Sequence, residues 1–162
     1  LQVKRLSLYF NKPYDYFIAV ACDVEILNKL KLRIRKVRKA DDKAVPGRSF
    51  FAQRKLDSFQ DYEEAYHQLI TDIISQQVKS TNLVLRGTAV KRIFVDGGFS
   101  KNAIYMYLLA ESFPAIEVYA ASVAQASGLG AALAIHPHWN TKNLPADVIE
   151  LKLYSVSGDS AI

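Results

Sequence analysis

An α/β fold, with a mixed sheet flanked by helices, is predicted by the order of elements in the second half of the chain. The run Ile93–Val95 is rich in β-branched and aromatic residues, as strands typically are. A glycine turn and a helix-like run follow, and then a second short strand at 115–120 precedes a helix of small residues at 124–134. Because alternation of strands and helices is typical of parallel α/β layers, we expect these two strands to be parallel.

The first half of the chain predicts mainly helices. Residues 1–10 have helical spacing of their apolar side chains. Asn11 and Pro13 predict the start of a second helix, with asparagine as the N-cap and proline in the first turn. Asp23 predicts the cap of another short helix that continues through Leu30.

The longest predicted helix spans residues 58–79, and large apolar residues recur along it at helical spacing. They are Phe59, Tyr62, Tyr66, Leu69, Ile70 and Ile73. We expect this stripe to form the core. The segment 44–51 predicts a loop because it contains Pro46 and Gly47, and alternation over 148–154 predicts one more strand.

The turn after the first strand has the sequence VDGGFSKN over residues 95–102. Glycine accepts a positive φ and lets backbone approach a ligand closely, and we expect both properties at Gly98. The first amides of a helix that begins here would have no partner within that helix and would favour an anion. Taken alone, a glycine pair more often marks an ordinary tight turn.

A second segment, QASGLGAAL over residues 125–133, strengthens the functional interpretation. Small residues line almost one whole side of the predicted helix. Another backbone or a flat ring would therefore pack directly against that side.

Together the two segments resemble the C-terminal nucleotide-binding half of FGGY-family carbohydrate kinases, within the actin-like ATPase (ribonuclease H-like) superfamily. That family carries a Gly-Gly-Gly-Ser-(Lys)-Asn turn and then a Glu-Ala-Ser/Thr-Ala-Leu-Gly-Ala-Ala helix at about this separation. The resemblance is best over 62–135, and the order of elements is similar to the rhamnulokinase-like bacterial branch. The chain departs from the family pattern at Phe99 (usually glycine), Gln125 (usually glutamate) and Gly128 (usually alanine).

The resemblance implies one partial actin-like domain over residues 1–162, the later part of the second domain of such a kinase. Within it, 1–57 would be a helical and basic insertion region, 58–135 the nucleotide-binding core and 136–162 a C-terminal tail. The family's phosphate loop and its catalytic aspartate motif have no counterpart in this sequence. We therefore expect a fragment that is inactive alone, whereas the full enzyme would transfer a phosphoryl group from ATP to a sugar hydroxyl.

The implied cofactors are ATP and, in the full enzyme, Mg²⁺, while the sugar would bind mainly to the missing first domain. The residues implied in nucleotide binding are Gly97, Gly98, Phe99, Ser100, Asn102, Gly128 and Gly130. The glycines would allow close approach of backbone, and Ser100 would offer a donor to phosphate or ribose. Asn102 would bond the adenine edge. No catalytic residue and no metal ligand is assigned within this chain.

Two other functions stay open. The same motifs would suit another actin-like ATPase. The basic segment KLKLRIRKVRKADDK over 29–43, which contributes much of the net charge of +5, would suit a noncatalytic module that binds phosphate. We favour a solvated helix face or edge strand for this segment, and expect no nucleic-acid partner, because it contains no aromatic residues.

Composition also predicts where the chain resides and which partners and ligands it lacks. Half of the residues are hydrophobic, yet no apolar run approaches the ~20 residues of a membrane-spanning helix, so we expect no membrane partner. A lone Cys22 favours the reducing cytoplasm. His67 is expected to be a packed or surface residue rather than a catalytic base, and His136 and His138 lack a third metal ligand nearby. Apolar faces left uncovered by the missing domain predict either a homo-oligomer or a longer molecule whose remainder covers them.

Overall fold

The computed structural model describes residues 1–37, 50–122, 126–143 and 150–155. This part of the chain contains five α-helices and three strands. They are α1 (Gln2–Tyr9), α2 (Val24–Val37), α3 (Tyr62–Leu85), β1 (Arg92–Val95), α4 (Ala103–Ser112), β2 (Glu117–Ser122), α5 (Ala126–Trp139) and β3 (Glu150–Tyr154). In the described ranges, no helix is sufficiently long and apolar to cross a membrane.

The three strands form one mixed sheet in the order β1-β2-β3. β1 and β2 are parallel, with Val95 opposite Ala120, and β3 runs antiparallel to β2, with Leu153 opposite Tyr119. The predicted α/β class, the parallel pair and the C-terminal strand are therefore confirmed, with boundaries shifted by a few residues.

The core lies between α3 and the sheet, and α4 fills the space between them. α4 contacts both α3 and β2, and it buries Ile104, Met106 and Leu109. α1 and α2 pack against other sides of α3. The helices α1 to α4 therefore lie in successive layers on one side of the sheet.

The predicted long helix is confirmed as α3. Asp61 caps it, because its Oδ1 accepts a hydrogen bond from the Glu64 amide at 2.7 Å. Of the predicted stripe, all residues are buried except Ile73, which is half-buried. The helix ends six residues later than predicted, and its last turns expose Leu83 and Val84.

The prediction of a helix start at Asn11 is wrong. α1 ends just before this residue, and Asn11 has φ 52° while the Lys12 amide donates to the Ser7 carbonyl at 2.9 Å. This bond and the left-handed residue form a Schellman-type helix end. Asparagine tolerates the left-handed region and so serves helix ends as well as starts. The next helical residues are only a short 3-10 turn at Tyr16–Ala19.

Asp23 caps α2 as predicted, since its Oδ1 accepts hydrogen bonds from the amides of Glu25 and Ile26 at 2.8 and 3.2 Å. The helix continues to Val37, beyond the predicted end at Leu30. Most of the predicted loop over 44–51 lies outside the described residues. At its end Phe51 is fully buried in a 3-10 turn, Phe50–Gln53.

A buried histidine joins the start of α2 to α3. The Nε2 of His67 accepts a hydrogen bond from the Asp23 amide at 2.9 Å, and its Nδ1 lies 2.7 Å from the Glu63 carbonyl oxygen. Nδ1 must therefore carry the proton and Nε2 must be free of one, so the ring is neutral. Burial lowers the pKa of His67, although the Glu63 carbonyl and the carboxylates of Asp23, Asp61 and Glu63 act in the opposite direction.

This pairing predicts a pH-dependent stability. Below the ordinary histidine pKa of about 6.5, the unfolded chain gains a proton that folded His67 resists, so the free energy of unfolding falls. The slope from this residue is at most about 1.4 kcal/mol per pH unit. Denaturant titrations between about pH 7.5 and 5.5 should show this loss in the parent chain and in the exposed-site control His138→Gln. His67→Gln should flatten the profile, and an unchanged profile would contradict the assignment.

The sheet face that points away from α4 carries exposed apolar side chains. Phe94 and Tyr119 stack across β1 and β2 with ring centroids 5.5 Å apart, and Leu151 and Leu153 extend the surface along β3. β1 is also an edge strand within the described sheet. Such a face and edge favour association. The expected homo-oligomer stays a prediction, and light scattering would check it.

Candidate nucleotide site at the glycine turn

The glycine turn lies at the carboxyl end of the parallel strands. β1 ends at Val95 and the turn follows directly, while β2 runs in the same direction and ends at Ser122. α5 begins at Ala126, so it starts from the same edge of the sheet. In α/β sheets, ligands bind in the space beyond the carboxyl ends of strands. The position of the turn therefore suits a binding site.

Inside the turn, the left-handed residue is Gly97, with φ 75°, and Gly98 has no positive φ. Our expectation for Gly98 was wrong on this point. The Asp96 side chain accepts a hydrogen bond from the Gly97 amide at 2.6 Å, and this contact begins a 3-10 helix over Gly97–Lys101. The glycines therefore do not lead straight into α4. They are the first two residues of this short helix, and its remaining residues lie between them and α4.

Ser100 is buried, and its Oγ donates to the Gly97 carbonyl at 2.8 Å. The hydroxyl thus bonds to the first residue of the same 3-10 helix. This geometry favours a structural part for Ser100 over the direct phosphate or ribose contact that we expected.

Phe99 is the prominent exposed side chain of the turn. The residue is 45% exposed, and its ring stacks on that of the buried Tyr105, with centroids 4.5 Å apart and planes 26° apart. A flat ring that is supported underneath and exposed above provides a surface on which a purine can stack.

Asn102 begins α4 and links it to α3. Its Oδ1 accepts a hydrogen bond from the Tyr105 amide at 2.9 Å, and its Nδ2 donates to the Tyr66 hydroxyl at 2.8 Å. The first contact is an N-cap, which satisfies an amide that the helix leaves unpaired. One amide hydrogen and one oxygen lone pair of Asn102 remain for a ligand.

The small-residue helix α5 starts near this edge, and its first residue with a described environment is Gly130. Gly130 is exposed, and a Cβ placed on it would meet no atom within 4 Å. Gly128 lies in the same helix, and its surroundings are not described. The described residues therefore bring Gly97, Gly98, Phe99, Ser100 and Asn102 together, and show no close approach at Gly130.

Two grooves of the described surface lie away from the glycine turn. One, of about 900 Å³, borders α1 near Leu8 and Leu56, and the other, of about 490 Å³, borders Phe113 and Tyr154. Neither includes a residue of the turn.

The basic segment is a helix in its described part, and its cations meet carboxylates. Arg33 Nη1 lies 2.7 Å from Glu64 Oε1, Lys29 Nζ lies 3.6 Å from the same oxygen, and Lys31 pairs with Glu111. These side chains join neighbouring elements instead of forming a free phosphate-binding patch. The side chains of 34–37 and all of residues 38–43 lie outside this description.

Metal ligands do not cluster in the described ranges. There, no group of three or more His, Cys, Asp or Glu side chains is close enough to hold a metal ion. His136 and His138 lie in the last turn of α5.

Two residues of the site are not indicated as such by the sequence. Tyr66 is predicted only as part of the core stripe, and Tyr105 lies in the helix-like run that follows the glycine turn. The one available signal was local, because asparagine three residues before Tyr105 is typical of an N-cap. Nothing local indicates that Tyr66, 36 residues away, is the partner of Asn102.

Comparisons of the chain with protein-family models, with curated proteins and with solved structures found no match.

The two glycines of the turn should differ in their tolerance of alanine. Gly97→Ala should lower the free energy of unfolding by roughly 1–2 kcal/mol, since a Cβ opposes the left-handed backbone. The matched control Gly98→Ala should be near neutral, because its φ is not positive and a Cβ there meets no atom within 4 Å. Chemical denaturation measures both. Equal losses for the two variants would contradict the observed turn.

Proposed function

We propose that this chain is the nucleotide-binding part of an ATP-dependent sugar kinase of the FGGY type, with the partial actin-like architecture that the sequence resemblance implies. The observation that carries the proposal is the glycine turn at the carboxyl end of two parallel strands, with an exposed aromatic ring and a partly free amide at its end. This combination offers a face and an edge for a nucleobase.

Each part of the turn has a role in this proposal. Phe99 stacks on the base, and Asn102 bonds its edge with the amide hydrogen and lone pair that the helix leaves free. Gly97 and Gly98 keep the backbone without side chains where the ribose and phosphates leave the base. Lys101 is exposed beside them and adds positive charge.

The chemistry would require more protein than this chain. Phosphoryl transfer depends on positioning and on stabilising charge at the phosphates. The turn would hold the nucleotide, and the resemblance implies that the sugar and the catalytic aspartate belong to another part of a longer kinase. Mg²⁺ would enter with the phosphates there, where it would neutralise the charge that develops on their oxygens.

The noncatalytic basic module is less well supported. Among the described cations of α2, Lys31 pairs with Glu111 and Arg33 with Glu64, and phosphate binding by them would cost these contacts. By contrast, the groups that we assign to the nucleotide are exposed or partly free.

Removal of the stacking ring should weaken ATP binding. Aromatic stacking of a base is worth roughly 1–3 kcal/mol, so Phe99→Ala should raise the Kd for ATP about 5- to 150-fold. Phe94→Ala is the matched control, because Phe94 is similarly exposed but lies on the open sheet face. Isothermal titration of folded protein measures both. No binding by the parent chain, or equal weakening by the two variants, would reject the proposed function.

A further inference from the structure

We propose that Tyr66, on α3, is a positioning residue for nucleobase specificity, because its hydroxyl helps to hold the Asn102 side-chain amide in one orientation. The inference rests on the proposed function and assigns a part in it to a residue that does not touch the ligand. It concerns a single hydrogen bond between α3 and the start of α4.

The orientation of the Asn102 amide follows from its partners. The Tyr105 amide is a donor, so the group facing it at 2.9 Å must be the carboxamide oxygen. The nitrogen then faces the Tyr66 hydroxyl at 2.8 Å, and that oxygen accepts. A flipped amide would place its NH₂ group against the Tyr105 N–H and would lose the cap.

Tyr66 is held firmly enough to act in this way. It is 3% exposed, and its ring stacks on that of Tyr62 with centroids 6.0 Å apart and lies 6.2 Å from that of Phe17. Burial raises the pKa of Tyr66 to about 12, although the Asn102 hydrogen bond acts in the opposite direction. The hydroxyl therefore stays protonated near neutral pH, and α3 provides a fixed acceptor for Asn102.

Beyond these two contacts, the fixed amide keeps one N–H donor and one oxygen lone pair. Such a pair matches the amino group and ring nitrogen of adenine, as asparagine does when it bonds adenine at N6 and N7. Guanine presents two acceptors, O6 and N7, along the corresponding edge and matches only half of the pair. With its oxygen held by the Tyr105 amide and its nitrogen held by the Tyr66 hydroxyl, the Asn102 carboxamide favours ATP over GTP. Without the Tyr66 contact the carboxamide keeps only the cap, is held less firmly and would discriminate less.

The test compares the Kd values of ATP and GTP for the parent chain and for Tyr66→Phe, measured by isothermal titration. The variant removes one hydroxyl and keeps the ring. The ATP preference should fall roughly two- to tenfold, the value of one neutral hydrogen bond, through weaker ATP binding alone. Tyr62→Phe, at the ring that stacks on Tyr66, is the control and should keep the preference.

The outcomes separate the claims. If the parent chain binds no nucleotide, the proposed function fails. If it binds ATP, and Tyr66→Phe leaves the ATP-to-GTP ratio unchanged or weakens both nucleotides equally, only the part assigned to Tyr66 is overturned. Should Tyr66→Phe not fold, Asn102→Asp keeps the cap but replaces the free donor with an oxygen. It must then lose the ATP preference, and a retained preference would overturn the inference.

Discussion

The fold depends on the burial of the first half of α3. Between Tyr62 and Ile74 this helix is buried on nearly all sides, including four polar residues, Glu64, His67, Gln68 and Asp72. Buried polar groups cost free energy unless they are paired. Each of the four has a partner, and the partners come from the N-terminal region or from α3 itself. Arg54 bonds both carboxylate oxygens of Asp72, to which Gln68 also donates, and Arg33 bonds Glu64. These pairs position α2 and the segment after Phe50.

The candidate site is also held in place by α3. α4 packs on α3, and Tyr66 joins the two helices through Asn102 at the point where the glycine turn ends. Phe99 in turn rests on Tyr105, one of the first residues of α4. The side chains of Phe99 and Asn102 therefore contact buried residues, Tyr105 and Tyr66, that hold them in position. A precise binding surface requires such support.

Periodic features of the sequence were predictable and local geometry was not. The α3 stripe, the strands and the Asp23 cap follow from spacing and from side-chain chemistry that act within a few residues. Asparagine serves both helix starts and helix ends, and either glycine of the turn could adopt the positive φ. The rest of the fold decides that α1 ends near Asn11 and that Gly97 is the left-handed residue. Burial of Ser100 and the Tyr66–Asn102 bond arise from packing between distant segments, for which one sequence gives no signal.

Nucleotide binding at the glycine turn is tested most directly by amide chemical-shift mapping. In a titration of the ¹⁵N-labelled chain with ATP, we expect saturable shifts of the amides of Gly97, Gly98 and Phe99 and of the Asn102 side-chain NH₂. The amides along the open sheet face should stay unchanged. Shifts confined to the basic helix α2, or to the groove beside α1, would contradict ATP binding at the glycine turn, as would a spectrum that ATP leaves unaltered.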